Sequence, residues 1–128
     1  MEDNTYFDSL LYLTHLIVYA DGVFDDTEKS AIKYICQQEG IDDTYYQNFL
    51  AIAKGLKEKE MYQRGTSLVE ECSENEKLRI FIWLYKISEV DGKVHVKEVR
   101  FLLYSIKKAG IDFEEVKEEA HRLPQIEV

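Results

Sequence analysis

The chain contains two copies of one short acidic pattern, and this repeat constrains the fold more than any other feature. The first copy runs from Asp21-Gly22 through Glu28 to Gly40-Ile41-Asp42, and the second runs from Asp91-Gly92 through Glu98 to Gly110-Ile111-Asp112. Each residue of the first copy lies 70 positions before its counterpart in the second. A register shared over this length predicts a duplicated helix–loop–helix unit.

The length and composition are those of one helical domain. A chain of 128 residues can bury a core, and its hydrophobic fraction of 45% argues against disorder. Six glycines and one proline leave few breaks, as expected of helices joined by short connections. We therefore expect residues 1–128 to form a single all-α domain of about seven helices, with two pseudo-two-fold related halves at about 5–55 and about 73–123.

Helical spacing of apolar residues predicts the main elements. Residues 5–20 and 74–90 carry broad apolar stripes and are expected to form the two central helices. Residues 56–72, between the halves, are rich in Lys and Glu and give the weakest helical pattern. A helix over 96–109 is expected to end at Gly110, because glycine readily takes the left-handed conformation that closes a helix.

Polar residues with the spacing of helix caps predict where several helices begin. Asp25 and Glu28 form a D-x-x-E pattern, in which the first side chain accepts a backbone N–H and the second reaches back. A second pattern of this kind begins at Ser73, and Asp112 with Glu115 predicts the start of the last helix.

The charge and the termini disfavour several classes of function. A formal net charge of −9 disfavours nucleic-acid partners and docking to anionic membranes. Residues 1–5 are acidic and polar where a secretory leader is basic, and no apolar run approaches a membrane span, so we expect a cytoplasmic protein without membrane insertion. Cys36 and Cys72 lack metal-type spacing and are expected to be buried or half-buried thiols, with no disulfide or redox pairing.

The repeated acidic residues suggest a cation site. Asp21 and Asp91 follow predicted helices, where the negative end of the helix dipole opposes a carboxylate by about 0.3–1 kcal/mol. If the two loops meet, four carboxylates converge, namely those of Asp21, Glu28, Asp91 and Glu98, and Asp25 adds a further candidate. Clustered carboxylates repel one another unless a positive charge neutralises them. The oxygen donors favour a hard divalent cation, with Ca²⁺ or Mg²⁺ before Zn²⁺.

The same residues also allow a purely structural interpretation. Asp-Gly is a common turn pair, and Glu at the third helical position is a common capping partner. A duplicated unit would keep both residues for folding alone. On this interpretation the protein is a metal-independent helical adaptor that binds other proteins.

Two other classes fit the sequence less well. An EF-hand is disfavoured because its earlier ligand positions fall on Ile17 and Tyr19 in the first copy, and on Ile87 and Glu89 in the second. An enzyme using the carboxylates as acid and base is also disfavoured, since the sequence shows neither a recognisable nucleophile arrangement nor a phosphate-binding loop.

The repeated motifs resemble those of the tellurite-resistance TerB family. The likeness rests on Ala20-Asp21-Gly22 with Glu28, on Val90-Asp91-Gly92 with Glu98, and on the spacing to Gly40-Ile41 and Gly110-Ile111. It covers roughly residues 5–120, and the related N-terminal domain of the DjlA-type co-chaperones is similar too.

The resemblance implies an all-helical fold and an acidic, metal-associated site. By resemblance, Asp21 and Glu28 carry over from the first half, and Asp91 and Glu98 from the second. The family implies a non-enzymatic stress-response role, with tellurite resistance and phage defence among its settings, acting through protein partners that are often membrane-associated. His95 stands where the first loop has Asp25, so we expect a less acidic second loop.

Overall fold

The computed structural model describes residues 4–18, 25–91, 94–106 and 109–127, and it confirms the expected all-α fold. Within these residues there are seven helices and no strands. In chain order they are α1 (Thr5–Val18), α2 (Asp26–Glu39), α3 (Asp43–Ala53), α4 (Glu58–Glu70), α5 (Glu74–Val90), α6 (Val96–Ser105) and α7 (Phe113–His121).

The capping residues account for where α2, α3 and α5 begin. Asp25 and Glu28 form the expected capping box at α2, and Ser73 forms a second one at α5. The Asp42 carboxylate accepts the Tyr45 N–H at the start of α3, at 2.8 Å. Gly40, with φ of 72°, closes α2 in the left-handed conformation. Each cap of this kind contributes about 1 kcal/mol, so the local sequence favours these helix boundaries.

The helix over residues 96–109 is shorter than the sequence suggests. It ends at Ser105, because Ile106 takes an extended backbone conformation. Ile106 and Ala109 are both buried, so the chain stays against the core after the helix ends. Asp112 does begin α7, but its carboxylate accepts the N–H of Glu114, at 3.2 Å, and not that of Glu115.

The central helices α1 and α5 organise the core. Helix α1 packs most extensively against α4 and also contacts α5 and α3, while α5 packs against α7 and α6. The Lys- and Glu-rich segment, which gives a weak helical pattern in the sequence, therefore forms helix α4 and packs closely against α1. Cys36 and Cys72 are buried free thiols, as expected.

A close approach at Gly65 explains how α4 packs against α1. A Cβ at this position would lie 2.8 Å from Leu13 Cδ2 and 3.2 Å from Tyr12 Cβ. Leu13 is completely buried, so its side chain has little room to move away. The absence of a side chain at Gly65 therefore lets the two helices meet over their length.

Gly65→Ala is expected to destabilise the protein. Overpacking typically costs about 1–3 kcal/mol, which exceeds the gain of up to about 1 kcal/mol from alanine's helix preference. Chemical denaturation of both proteins measures the difference. Gly55→Ala is the matched control, since a Cβ there meets only Ile52 O at 3.8 Å. Equal losses for the two variants would contradict the close-packing explanation.

A buried lysine connects α5 to the end of α7. Lys86 is 1% exposed, and its ammonium donates to Ala120 O at 3.0 Å and to Leu123 O at 3.1 Å. Burial lowers the pKa of Lys86, while Glu89 raises it in part. A cation at the C-terminal end of a helix also meets the favourable end of its dipole. The charge that interrupts the apolar face of α5 thus caps α7.

Lys86→Met is expected to cost about 1–3 kcal/mol, because it removes both hydrogen bonds that the ammonium donates to the end of α7. Thermal melting measures the loss, with Lys33→Met as the exposed control. A melting temperature equal to or above that of the wild type would show that the cost of burying the ammonium outweighs its hydrogen bonds.

Candidate cation site

Glu28 is a capping residue with one carboxylate oxygen left over. Its backbone N–H donates to Asp25 Oδ1 at 2.9 Å, and its Oε1 accepts the Asp25 N–H at 3.0 Å. The residue is completely buried. Its second oxygen, Oε2, is buried and receives no hydrogen bond from any described donor. Capping therefore accounts for only one of the two oxygens of this carboxylate.

Asp91 brings a second carboxylate to Glu28 from the other half of the chain. It follows α5 directly, its N–H donates to Ile87 O at 2.9 Å, and it is 4% exposed. Burial raises the pKa of Glu28 to about 6, although the hydrogen bond from the Asp25 N–H lowers it in part. The negative charges of Asp91 and Asp25 contribute to the rise, and so does the hydrogen bond that a protonated Glu28 can donate to Asp91. Such a pair can share a proton or bind a cation.

The remaining predicted ligands are placed differently. Asp21 lies outside the described residues. Asp25 is partly buried beside Glu28, whereas Glu98 is exposed on the first turn of α6. The described part of the chain contains no group of three or more His, Cys, Asp or Glu side chains arranged to hold a metal ion. Asp25 and Asp91 each lie beside Glu28, whereas the Glu98 side chain is exposed.

The difference between Glu28 and Glu98 follows from one position in each loop. Asp25 precedes α2 and accepts the N–H of Glu28, which ties the capping box together. His95 holds the same place before α6, and its side chain makes no capping hydrogen bond. Without that reciprocal contact Glu98 is not drawn inward. The less acidic second loop therefore gives an asymmetric arrangement.

Glu39 is a partly buried acid that forms a further polar centre, which was not predicted from the sequence. Its Oε1 accepts hydrogen bonds from Tyr6 Oη at 2.6 Å, from Trp83 Nε1 at 2.6 Å and from Arg79 Nε. Burial, followed by the hydrogen bond to Glu39, raises the pKa of Tyr6. An acid at the last residue of a helix is unfavourable, because it lies at the negative end of the helix dipole. This unusual position of Glu39 could have identified it from the sequence.

His15 is a satisfied core residue, as its place within α1 indicates. Nδ1 lies 2.9 Å from Leu11 O, and Nε2 lies 3.1 Å from Tyr46 Oη. The residue is 1% exposed, and burial lowers the pKa of His15 to about 4. The imidazole is therefore neutral near pH 7 and belongs to the core.

These features define an all-α domain that joins two acidic loops through a buried pair of carboxyl groups. The family model described as "Tellurite resistance protein TerB" matches residues 8–120. The chain belongs to the TerB family, as its repeated motifs predict.

Searches of curated proteins and of solved structures found no match to this chain. None of the helices in the described residues has both the length and the apolar character needed to cross a membrane.

Glu28→Gln is expected to stabilise the cation-free protein near pH 7, by an amount on the order of 1 kcal/mol. The raised pKa of Glu28 means that the folded state binds the proton more tightly, so its contribution to stability is present below pH 4.5 and is lost as pH rises through about 6. Glutamine keeps an oxygen for the Asp25 N–H and cannot ionise. The melting temperature in chelator, measured from pH 4.5 to 7.5, should therefore show a variant advantage that grows with pH.

The difference in melting temperature between the wild type and Glu28→Gln is the informative quantity. The melting temperature of either protein alone also depends on His15, whose effect on stability with pH is opposite to that of Glu28. The lowered pKa of His15 makes the folded state lose stability as pH falls from 6.5 toward about 4. That effect is present in both proteins and cancels in the comparison. Asp26→Asn, a change to an exposed neighbouring acid, should show a flat difference over the same range. A flat difference for Glu28→Gln would contradict the assigned pKa.

Proposed function

We propose that this tellurite-resistance-type module binds a divalent cation at its paired acidic loops and acts in stress response through protein partners. Glu28 and Asp91 would hold the ion, with Asp25 beside them and Asp21 as the first candidate to complete the set. The ion would bring positive charge to this pair of carboxylates. Glu98 has no part in this core, because it is exposed on α6.

The observation that carries the proposal is the buried Glu28 oxygen beside a second buried carboxylate. A buried carboxylate oxygen without a donor costs about 1–3 kcal/mol or more, and a like charge next to it adds to the cost. A hard cation coordinated by oxygen removes both penalties at once. Carboxylate donors favour Ca²⁺ or Mg²⁺ over Zn²⁺.

Thermal melting of chelator-treated protein, with and without millimolar Ca²⁺, Mg²⁺ or Zn²⁺, tests the cation site. A cation at 100 times its Kd adds about 2.7 kcal/mol, which raises the melting temperature by several degrees in a domain of this size. The rise should be smaller at pH 5 than at pH 7.5, because the proton competes for Glu28.

The variants Glu28→Gln, Asp91→Asn and Asp21→Asn should each reduce the cation-dependent rise, and Asp26→Asn should preserve it. Isothermal titration of the same proteins measures the affinity directly. A full cation response in the Glu28→Gln/Asp91→Asn double variant would refute the site assignment.

The second candidate is a metal-independent helical adaptor, and the complete capping box at α2 favours it. On this alternative the two carboxyl groups share a proton, and Glu28 serves only to start the helix. No ion would then change the melting temperature, and Glu28→Ala would lose about 1 kcal/mol from the cap. The melting series therefore separates the two candidates.

The stress-response part of the proposal needs a test in cells. In a host whose growth on tellurite depends on this protein, the Glu28→Gln/Asp91→Asn variant should fail to restore growth at a protein level equal to the wild type. Asp26→Asn should restore it. Normal growth with the double variant would separate the cellular role from the acidic loops.

A further inference from the structure

An exposed apolar groove lies between α4 and α6, and neither Glu28 nor Asp91 lines it. It has a volume of about 800 Å³, and its apolar residues are Leu16, Ile17, Tyr62, Phe101 and Leu102. Ile17 and Leu102 are buried, whereas Phe101 is 75% exposed, more than any other large apolar residue described. We call this surface the α4–α6 groove. An exposed ring next to an apolar concavity marks an interaction surface.

The charges along the groove are balanced, in contrast to the chain as a whole. Glu58 and Lys59 line it from α4, and Lys97 and Glu98 line it from α6. The chain carries a formal net charge of −9, so most faces of two copies repel each other. A neutral surface with an apolar centre is where two such copies can approach at the lowest electrostatic cost.

We propose that the α4–α6 groove is the interface of a symmetric homodimer. A two-fold interface requires one surface to complement itself, and this groove contains both the projecting Phe101 ring and an apolar concavity that can receive it. With the two-fold axis along the groove, α4 of one copy faces α6 of the other. Glu58 then meets Lys97, and Lys59 meets Glu98. This inference is independent of the cation site.

Sedimentation velocity over a concentration series, from about 10 µM to about 1 mM, measures the association. The wild type is expected to form a dimer both in chelator and in Mg²⁺. Phe101→Glu should weaken the dimer by about tenfold or more, because it places a charge at the centre of the interface. Ile52→Glu is the matched control, since Ile52 is 54% exposed on α3, outside the groove.

A charge-reversal pair tests the predicted arrangement of the two copies. Lys97→Glu alone places a negative charge opposite Glu58 on both sides of the two-fold axis, and Glu58→Lys alone places a positive charge opposite Lys97. Each variant should therefore associate more weakly than the wild type. An equimolar mixture of the two variants restores an opposite-charge pair on each side and should form the dimer again. The substituted residues of both experiments are all exposed, namely Ile52, Glu58, Lys97 and Phe101. Circular dichroism verifies that each variant is folded.

Three results would overturn the proposal. A wild type that stays monomeric up to about 1 mM would assign the groove to a different partner. A dimer that Phe101→Glu leaves intact would lie on another surface. A mixture of the charge variants that associates no better than either variant alone would exclude the proposed two-fold arrangement.

Discussion

A buried helix end must find partners for its backbone N–H and C=O groups, and this requirement accounts for much of the charge inside the protein. Lys86 donates to two carbonyls at the end of α7, and Asp25 with Glu28 satisfies two N–H groups at the start of α2. The short helices can therefore pack closely without leaving their ends unsatisfied.

The Asp91 carboxylate is the basis of the functional argument. It follows α5 at the helix end where a carboxylate is least favourable, and it lies beside the buried carboxyl group of Glu28. Neither the cap of α2 nor the end of α5 requires both negative charges. A proton on Glu28 relieves the repulsion only in acid, because the pKa of Glu28 is about 6. A cation would relieve it at neutral pH, where the protein would otherwise bear the cost.

The parts of the fold that local chemistry determines could be predicted from sequence. Asp25, Ser73 and Gly40 act within one or two helical turns, so their patterns place helix boundaries correctly. The tight contact at Gly65 could not be predicted, because it depends on α1 and α4 meeting at that residue. The early end of α6 was not predicted either, because the helical spacing of apolar residues continues through Ile106 while its backbone is extended.

The candidate site was predictable in composition and less so in geometry. The repeat identified Glu28 and Asp91 as related to one site, but sequence periodicity cannot show that α2 and α5 bring these two together. It also presents Glu28 and Glu98 as equivalents, and the structure separates them. The cause is local: Asp25 ties Glu28 inward, and His95 makes no such contact with Glu98.

This asymmetry links the two surfaces of the molecule. Each acidic motif contains a glutamate, and only Glu28 lies in the buried pair with Asp91. His95 makes no capping hydrogen bond, and Glu98 is exposed at the edge of the α4–α6 groove. There it balances Lys97 on a surface that would otherwise be basic and apolar. The two copies of one motif thereby serve different physical ends, one forming a buried anionic pair and the other balancing the charge of an exposed interface.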